Sequence, residues 1–151
     1  MTVHDFIVIY NDTFKFIYKK YGPEALRDLW ATISLQWCTH LRELVKAKGL
    51  EGMKEYWGGN DGTLGREKAV YNITLKDEVF QGRMFECPSI GELRERGRDV
   101  FNEGLTYCDH CRFLYCPVVE DYSFSMSWFI DYDESGRCTG KCRWSSKKRS
   151  N

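Results

Sequence analysis

Apolar side chains recur at helical spacing through the first third of the chain. Steps of three and four residues predict a first helix over residues 4–20 and a longer second helix over residues 23–48. Gly22 and Pro23 separate the two helices, and Gly49 ends the second. The predicted core stripe of the second helix consists of Leu26, Leu29, Trp30, Ile33, Trp37, Leu41, Leu44 and Val45. A short third helix is predicted over residues 50–57.

The pattern then changes to the alternation that is typical of strands. Residues 70–75 and 79–86 are rich in β-prone side chains and are separated by a three-residue turn, so we predict a hairpin. A helix over residues 90–103 is expected to follow it, with Ser89 as its cap.

The last strand pair completes the predicted fold. Residues 122–132 alternate between two faces, which predicts a half-buried strand, and residues 137–144 can return as its partner. We therefore predict an α+β fold in a single domain, residues 1–151, with a helical N-terminal half packed on a small antiparallel sheet and one interposed helix. The helical part covers residues 1–57, and the sheet part, residues 68–145, carries a cysteine-rich loop.

Most of the candidate chemistry lies in the cysteines of the second half. Only Cys38, which we expect to be an ordinary packing residue, lies in the helical part. The other six are Cys87, Cys108, Cys111, Cys116, Cys138 and Cys142. Together with the His110 imidazole and the Asp109 carboxylate, this density indicates either a soft-metal site or a reactive thiol centre.

The metal interpretation starts from the Cys-x-x-Cys spacing of Cys108 and Cys111, which lets one loop hold a single ion. Cys116 and Cys142 are the further ligands that we predict, and they would complete a zinc site or an iron–sulfur cluster. The distal pair Cys138 and Cys142 is an imperfect second knuckle, so this interpretation remains one of two.

The thiol interpretation assigns catalytic roles to Cys87, Asp109 and His110. Cys87 precedes a predicted helix whose free amides can stabilise a thiolate, and His110 can serve as general base. Asp109 could orient an imidazole; because adjacent side chains often point apart, its partner could instead be His4 or His40.

Charge and hydropathy restrict the partners and the compartment. Lys plus Arg and Asp plus Glu number 22 each, and this balance argues against a nucleic-acid binder. The basic stretch over residues 143–149 is expected to be a frayed, solvated tail. The apolar patch at residues 6–10 is too short for a signal peptide or a membrane span, so we expect a cytoplasmic protein with reduced thiols and no membrane partner.

Three short motifs carry a resemblance to a known family. They are Phe85-Glu86-Cys87-Pro88, Tyr107-Cys108-Asp109-His110-Cys111 and Gly140-Lys141-Cys142-Arg143-Trp144. In their order and spacing, over about residues 80–145, they resemble the L-2-amino-thiazoline-4-carboxylic acid hydrolase family. The resemblance implies hydrolysis of a C–N bond in a small cyclic amidine. By position it implies site residues at Cys87, at Cys108 with Asp109 and His110, and at Cys142.

The sequence thus supports two functional hypotheses. The first is a small cytoplasmic hydrolase that opens a C–N bond of a small heterocyclic amidine or amide, which would bind between helix and sheet. The second is a non-catalytic zinc- or iron–sulfur-binding or redox module held together by the Cys-x-x-Cys segment. A homo-oligomer or an accessory subunit of a larger enzyme is compatible with either.

Overall fold

The computed structural model describes residues 2–98 and 105–150, and in these residues the chain has an α+β fold. The helices, in chain order, are α1 Val3–Trp37, α2 Thr39–Lys48, α3 Leu50–Trp57, α4 Thr63–Arg66, α5 Pro88–Glu95 and α6 Asp109–Glu120. The strands are β1 Val70–Lys76, β2 Val79–Glu86, β3 Phe124–Tyr132 and β4 Cys138–Lys148. The predicted fold class is therefore confirmed.

The four strands form one antiparallel sheet in the order β1-β2-β4-β3. Gly82 of β2 lies opposite Trp144 of β4, which in turn lies opposite Trp128 of β3. Because side chains alternate along each strand, this row and those two residues away face the helices, while the intervening rows face outward. The burial pattern of β2, in which Phe80, Gly82 and Met84 are buried, follows this alternation.

The helical part is interrupted at Gly22, where the sequence predicts a break, and again at Cys38, where it predicts none. Gly22 has a φ of 86°, a left-handed conformation that glycine adopts without strain, and it kinks α1 just before Pro23. A second break at Cys38 separates α1 from α2. It shifts the phase of the buried stripe, so that Cys38 is buried while Trp37 is 76% exposed. The prediction of Trp37 as a core residue was therefore wrong.

The predicted cysteine-rich loop is largely a helix. Cys108 is the N-cap of α6, and Cys111 and Cys116 lie within that helix. The preceding helix, α5, is capped by Cys87 instead of Ser89 and ends at Glu95. The end predicted for it at residue 103 lies outside the described residues.

The basic stretch at the C-terminus is also ordered, contrary to the expectation of a frayed tail. Residues 143–148 belong to β4, a central strand that pairs with both β2 and β3. Tertiary pairing therefore places these cations on the sheet.

Two groups of buried side chains form the core. One surrounds Trp57 between α2, α3 and the helix-facing side of the sheet, and the other surrounds Trp30 between α1, α5 and α6. Cys87 and Leu114 pack against both groups. The Ser34 hydroxyl donates a hydrogen bond of 2.6 Å to the Leu114 carbonyl and ties α1 to α6. Within the described ranges, no helix has the length and apolar character needed to cross a membrane.

Candidate active site

A cavity of about 320 Å³ lies between the helices and the inner side of the sheet, where the two core groups meet. The thiols of Cys87, Cys108, Cys111 and Cys142 line it, together with His110. These residues come from the start of α5, the first turn of α6 and the middle of β4. The fold thus gathers four of the six clustered cysteines, separated by up to 55 positions in the chain, around one small space.

His110 and Cys111 place an imidazole and a thiol within hydrogen-bonding distance of each other in the cavity. The imidazole Nδ1 lies against the carbonyl oxygen of Tyr107, which can only accept a hydrogen bond. Nδ1 therefore carries the proton, and Nε2 presents a free lone pair. That atom lies 3.8 Å from the Cys111 Sγ. The pair is thus oriented for transfer of the thiol proton to the imidazole.

Burial sets the protonation states of this pair. It lowers the pKa of His110, against the opposing effects of the Tyr107 hydrogen bond and the Asp109 charge. It also raises the pKa of Cys111 well above the usual range, and the neighbouring Cys142 and Cys87 thiols raise it further. At neutral pH the pair is therefore a neutral imidazole beside a neutral thiol. Nucleophilic attack by this thiol would require His110 to take the proton during the attack.

The lowered pKa of His110 predicts a specific dependence of stability on pH. Because the folded imidazole binds its proton more weakly than the unfolded one, acid favours the unfolded chain, and this effect sets in as the pH falls below about 6.5. We expect the free energy of unfolding of the wild type, relative to that of His110→Gln, to decrease between pH 7.5 and pH 5. Urea unfolding of both proteins across this range measures the difference. A constant difference would contradict the lowered pKa.

Cys87 lies at a helix start, as the sequence predicted, but its pKa is not lowered there. It caps α5, and the amides of Ser89 and Ile90 beside its thiol oppose the effect of burial on its pKa. Burial nevertheless prevails and raises the pKa of Cys87, and the thiol makes no capping hydrogen bond. The expected stabilised thiolate is therefore not favoured at this position.

Asp109 has a different role from the one that the sequence suggested. Its Oδ2 accepts hydrogen bonds from the backbone N–H (2.6 Å) and the hydroxyl (2.8 Å) of Thr106, while its Oδ1 pairs with Arg112 at 2.8 Å. The Tyr132 hydroxyl lies 3.4 Å from Oδ2. The carboxylate is 3% exposed and fastens the start of α6 to β3. The imidazole that it was expected to orient is held by a carbonyl instead.

The other two histidines are not partners of Asp109. His4 pairs with Glu92 at 2.6 Å, and His40 is exposed and packs beside Tyr56. The predicted alternatives of His4 or His40 for Asp109 are therefore wrong.

Cys108 and Cys138 form a second pair of thiols at the edge of the cavity. Their mutual hydrogen bond raises the pKa of Cys108 and lowers that of Cys138. The buried Cys138 thiol also lies 3.2 Å from the Thr106 hydroxyl, which itself binds Asp109. Both distal cysteines, Cys138 and Cys142, thus approach the Cys-x-x-Cys segment, which the sequence alone left open.

The predicted four-thiol metal site is not supported by this arrangement. Cys108, Cys111 and Cys142 line the cavity, but Cys116 lies outside it, packed against the core group around Trp57. In the part of the chain that the structure describes, no three side chains among His, Cys, Asp and Glu are grouped so that they could hold a metal ion. The donors therefore do not fit zinc or an iron–sulfur cluster, and we derive no step through either.

The remaining walls consist mainly of aromatic side chains, in the region between helix and sheet where the sequence predicted a small-ligand pocket. Trp128 stacks on Trp144 at 4.8 Å, and Trp57 and Tyr115 pack around them. Sequence alternation placed Trp128 on the inner side of β3, and the structure shows that it borders the cavity.

A charged group at the cavity was also missed. Glu67, just after α4, lines the cavity and is exposed. Although Glu67 is accessible, the protein atoms around it remove enough water to raise the pKa of its carboxyl, against the opposing charge of Arg66. Nothing in the local pattern marks this residue, because only the packing of α4 brings it to the cavity.

Comparisons with protein-family models, curated proteins and solved structures found no match to this chain. The resemblance to the L-2-amino-thiazoline-4-carboxylic acid hydrolase family therefore stays a prediction, and the site has to be interpreted from its own geometry.

Proposed function

We propose that this protein is a small hydrolase that opens a C–N bond of a small heterocyclic amidine or amide, with Cys111 as nucleophile and His110 as general base. The observation that carries the proposal is the 3.8 Å approach of the Cys111 Sγ to the unprotonated Nε2 of His110 inside a closed-in cavity. A nucleophile beside a base that is oriented by a third group is the arrangement that covalent catalysis requires. The third group here is the Tyr107 carbonyl.

In the first half of the reaction, Cys111 attacks the amidine or amide carbon. Its proton passes to Nε2 of His110 as the C–S bond forms, because the thiol is neutral at working pH. Collapse of the tetrahedral adduct breaks the C–N bond, and Nε2 returns the proton to the leaving nitrogen. The amides of Ser89 and Ile90, at the start of α5, are the donors that we assign to the developing negative charge.

In the second half, water releases the group that is bound to Cys111. Nε2 takes a proton from the attacking water and delivers it to Sγ as the C–S bond breaks. Thiol and imidazole return to their starting states, so one water is consumed for each C–N bond opened. In this proposal Cys87 lines the site as a neutral thiol, and Asp109 holds the first turn of α6 in place.

The lining of the cavity supports a small, flat substrate with a cationic end. Its aromatic walls suit a planar ring, and its volume is at the lower end of the range for small-molecule sites. Glu67 provides a carboxylate for an amidine nitrogen. A 2-aminothiazoline carboxylate carries both a planar ring and an amidine.

The state of the thiols supports a reducing compartment as part of this proposal. All seven cysteines fall within the described residues, and all are free. Free thiols persist in the cytoplasm, where disulfides are rare. We accordingly propose a cytoplasmic enzyme whose partner is its small-molecule substrate.

Hydrolysis of 2-aminothiazoline-4-carboxylate tests the proposal directly. We expect turnover by the wild type, measured by mass spectrometry of the products, and a loss of about a thousandfold or more in Cys111→Ser and in His110→Gln. A covalent adduct of substrate mass on Cys111 should accumulate when the reaction is quenched early.

Two cysteine variants serve as controls for this test. Cys116→Ser changes a thiol outside the cavity and should keep full turnover, while Cys87→Ser changes a lining thiol and should retain most of it. If Cys87→Ser abolishes turnover and Cys111→Ser does not, Cys111 is not the nucleophile. If the folded wild type shows no turnover of this amidine or of a series of related cyclic amides, the hydrolase proposal fails.

A further inference from the structure

The outward face of the sheet carries more cations than carboxylates. One of its central rows consists of Asn72, Arg83, Arg143 and Phe129, which lie opposite one another across the four strands. The two rows toward the β1–β2 turn consist of Thr74, Gln81, Ser145 and Ser127, and then Lys76, Val79, Lys147 and Ser125. These twelve positions hold four cations and no carboxylate, and the outward positions beyond Arg143 and Phe129 add Lys141 and Asp131.

Arg83 and Arg143 form the centre of this face. They are direct cross-strand partners on β2 and β4, where side chains are only about 5 Å apart at Cβ and like charges destabilise the sheet. Among the residues that the structure describes, neither guanidinium has a hydrogen bond or an ion pair with another side chain. Two adjacent fork-shaped donors without partners suit an anion such as a phosphate or a carboxylate.

Exposed aromatic rings accompany these arginines. The Arg143 guanidinium lies 5.1 Å from the ring centroid of Phe129, and that of Arg83 lies 5.1 Å from the ring of Phe85. Phe129 is 54% exposed even with its arginine in place. A large apolar ring that stays in water at the centre of a sheet face leaves a flat surface on which another flat group can stack.

Two shallow hollows extend from this centre, of about 500 and 460 Å³. Arg83, Phe129 and Arg143 belong to the walls of both, so the hollows form one continuous surface. The first also contains Lys141 and Asp131, whose opposite charges offset each other, so the two arginines remain in excess. The second is lined by neutral polar side chains, among them Asn72, Gln81 and Ser145.

We propose that this outward sheet face, centred on Arg83, Arg143 and Phe129, binds single-stranded nucleic acid. Surfaces of this kind combine cations along the phosphate backbone with aromatic rings on which bases stack. The flanking amide and hydroxyl groups can form hydrogen bonds with base edges. A second copy of this chain is a poor occupant, because it would bring the same cations against these. An acidic protein segment would satisfy the arginines but leave the exposed Phe129 ring without a function.

The zero net charge of the chain does not oppose this proposal. Phosphate binding depends on the charges within a Debye length of the surface, about 8 Å at physiological salt, and not on the sum over the molecule. The stretch of residues 143–148 supplies Arg143 and Lys147 to this face only because it forms the central strand β4.

Fluorescence anisotropy tests the proposal by measuring the binding of fluorescein-labelled oligouridine and oligothymidine, each twelve nucleotides long. We expect saturable binding that weakens with salt, with a slope of log K against log salt of about −3 if all four cations meet phosphates. Arg83→Gln with Arg143→Gln should make this slope about 1.4 units shallower and weaken binding at least tenfold. Phe129→Leu should weaken binding about tenfold without changing the slope.

A charge-matched double variant on the helices controls for net charge. Lys19→Gln with Lys46→Gln removes two exposed cations far from the sheet face and should leave binding unchanged. The thermal midpoint of the arginine double variant should not fall, because its side chains are exposed and the change relieves like-charge repulsion.

Three results would overturn the proposal. The first is no anisotropy change with wild type at tens of micromolar and low salt. The second is equal weakening by the helix control. The third is displacement of the oligonucleotide by polyglutamate of equal charge together with no effect of Phe129→Leu, which would identify an acidic protein as the occupant.

Discussion

Alanine in place of Gly82 is expected to destabilise the protein more than any other single methyl group added to the sheet. A Cβ at this position would lie 2.2 Å from Cε2 and 2.3 Å from Cζ2 of Trp144. The indole cannot move away easily, because it is 2% exposed and stacks on Trp128 at an interplanar angle of 9°. We expect a loss of about 3 kcal/mol or more and a fall in the thermal midpoint of about 10 °C.

The matched control for this substitution is Gly91→Ala in α5. A Cβ at Gly91 would meet no atom within 4 Å, and alanine favours the helix by up to about 1 kcal/mol. Thermal unfolding followed by tryptophan fluorescence compares the two variants. Equal midpoints for Gly82→Ala and the wild type would show that Trp144 does not lie over Gly82, and the aromatic wall of the cavity would then need a different arrangement.

Asn in place of Asp109 is expected to have the next largest effect, although it changes almost no volume. The carboxylate receives hydrogen bonds on both oxygens, so the amide NH2 group of Asn would face either the Thr106 donors or Arg112. The amide oxygen can keep the Thr106 hydrogen bonds, so the cost is that of a nearly buried NH2 group facing the Arg112 guanidinium, roughly 1–3 kcal/mol. Urea unfolding of Asp109→Asn should show this loss.

Arg112→Ala isolates the exposed part of the same cluster. It removes the ion pair with Asp109, which lies on the solvent-exposed side of the cluster. Exposed pairs contribute less than about 1 kcal/mol, and the Thr106 hydrogen bonds to Asp109 stay in place. If Asp109→Asn were as stable as the wild type but lost turnover of the thiazoline, Asp109 would belong to the catalytic machinery, as the sequence first suggested.

Local patterns were sufficient to predict most of the elements. The break at Gly22, the end of α2 at Gly49 and the hairpin of β1 and β2 all follow from residues that permit or forbid particular backbone conformations. The alternation of β3 likewise predicted which of its faces is buried. Such signals act between near neighbours in the chain, so a single sequence displays them.

The errors arose where a local pattern had two interpretations. The density of cysteines in residues 108–116 suggested a ligand loop, yet the buried cluster of Thr106 and Asp109 starts a helix there. The apolar stripe in α1 and α2 continues through Trp37 only if the helix is unbroken, and the break at Cys38 rotates Trp37 into solvent. The serines and cations after residue 143 suggested a tail until two neighbouring strands offered them hydrogen bonds.

By itself, the sequence determined the α+β class, the order of the strands and of all helices except α4 and α6, and the presence of His110 among clustered thiols. Tertiary structure alone decided which of those thiols share a cavity, that a carbonyl and not Asp109 orients His110, and that Arg83 meets Arg143 on an open sheet face. The physical reason is that periodicity and turn chemistry are properties of neighbouring residues. The pKa values, cavities and charge clusters that carry chemistry depend on burial and on distances between residues far apart in the chain.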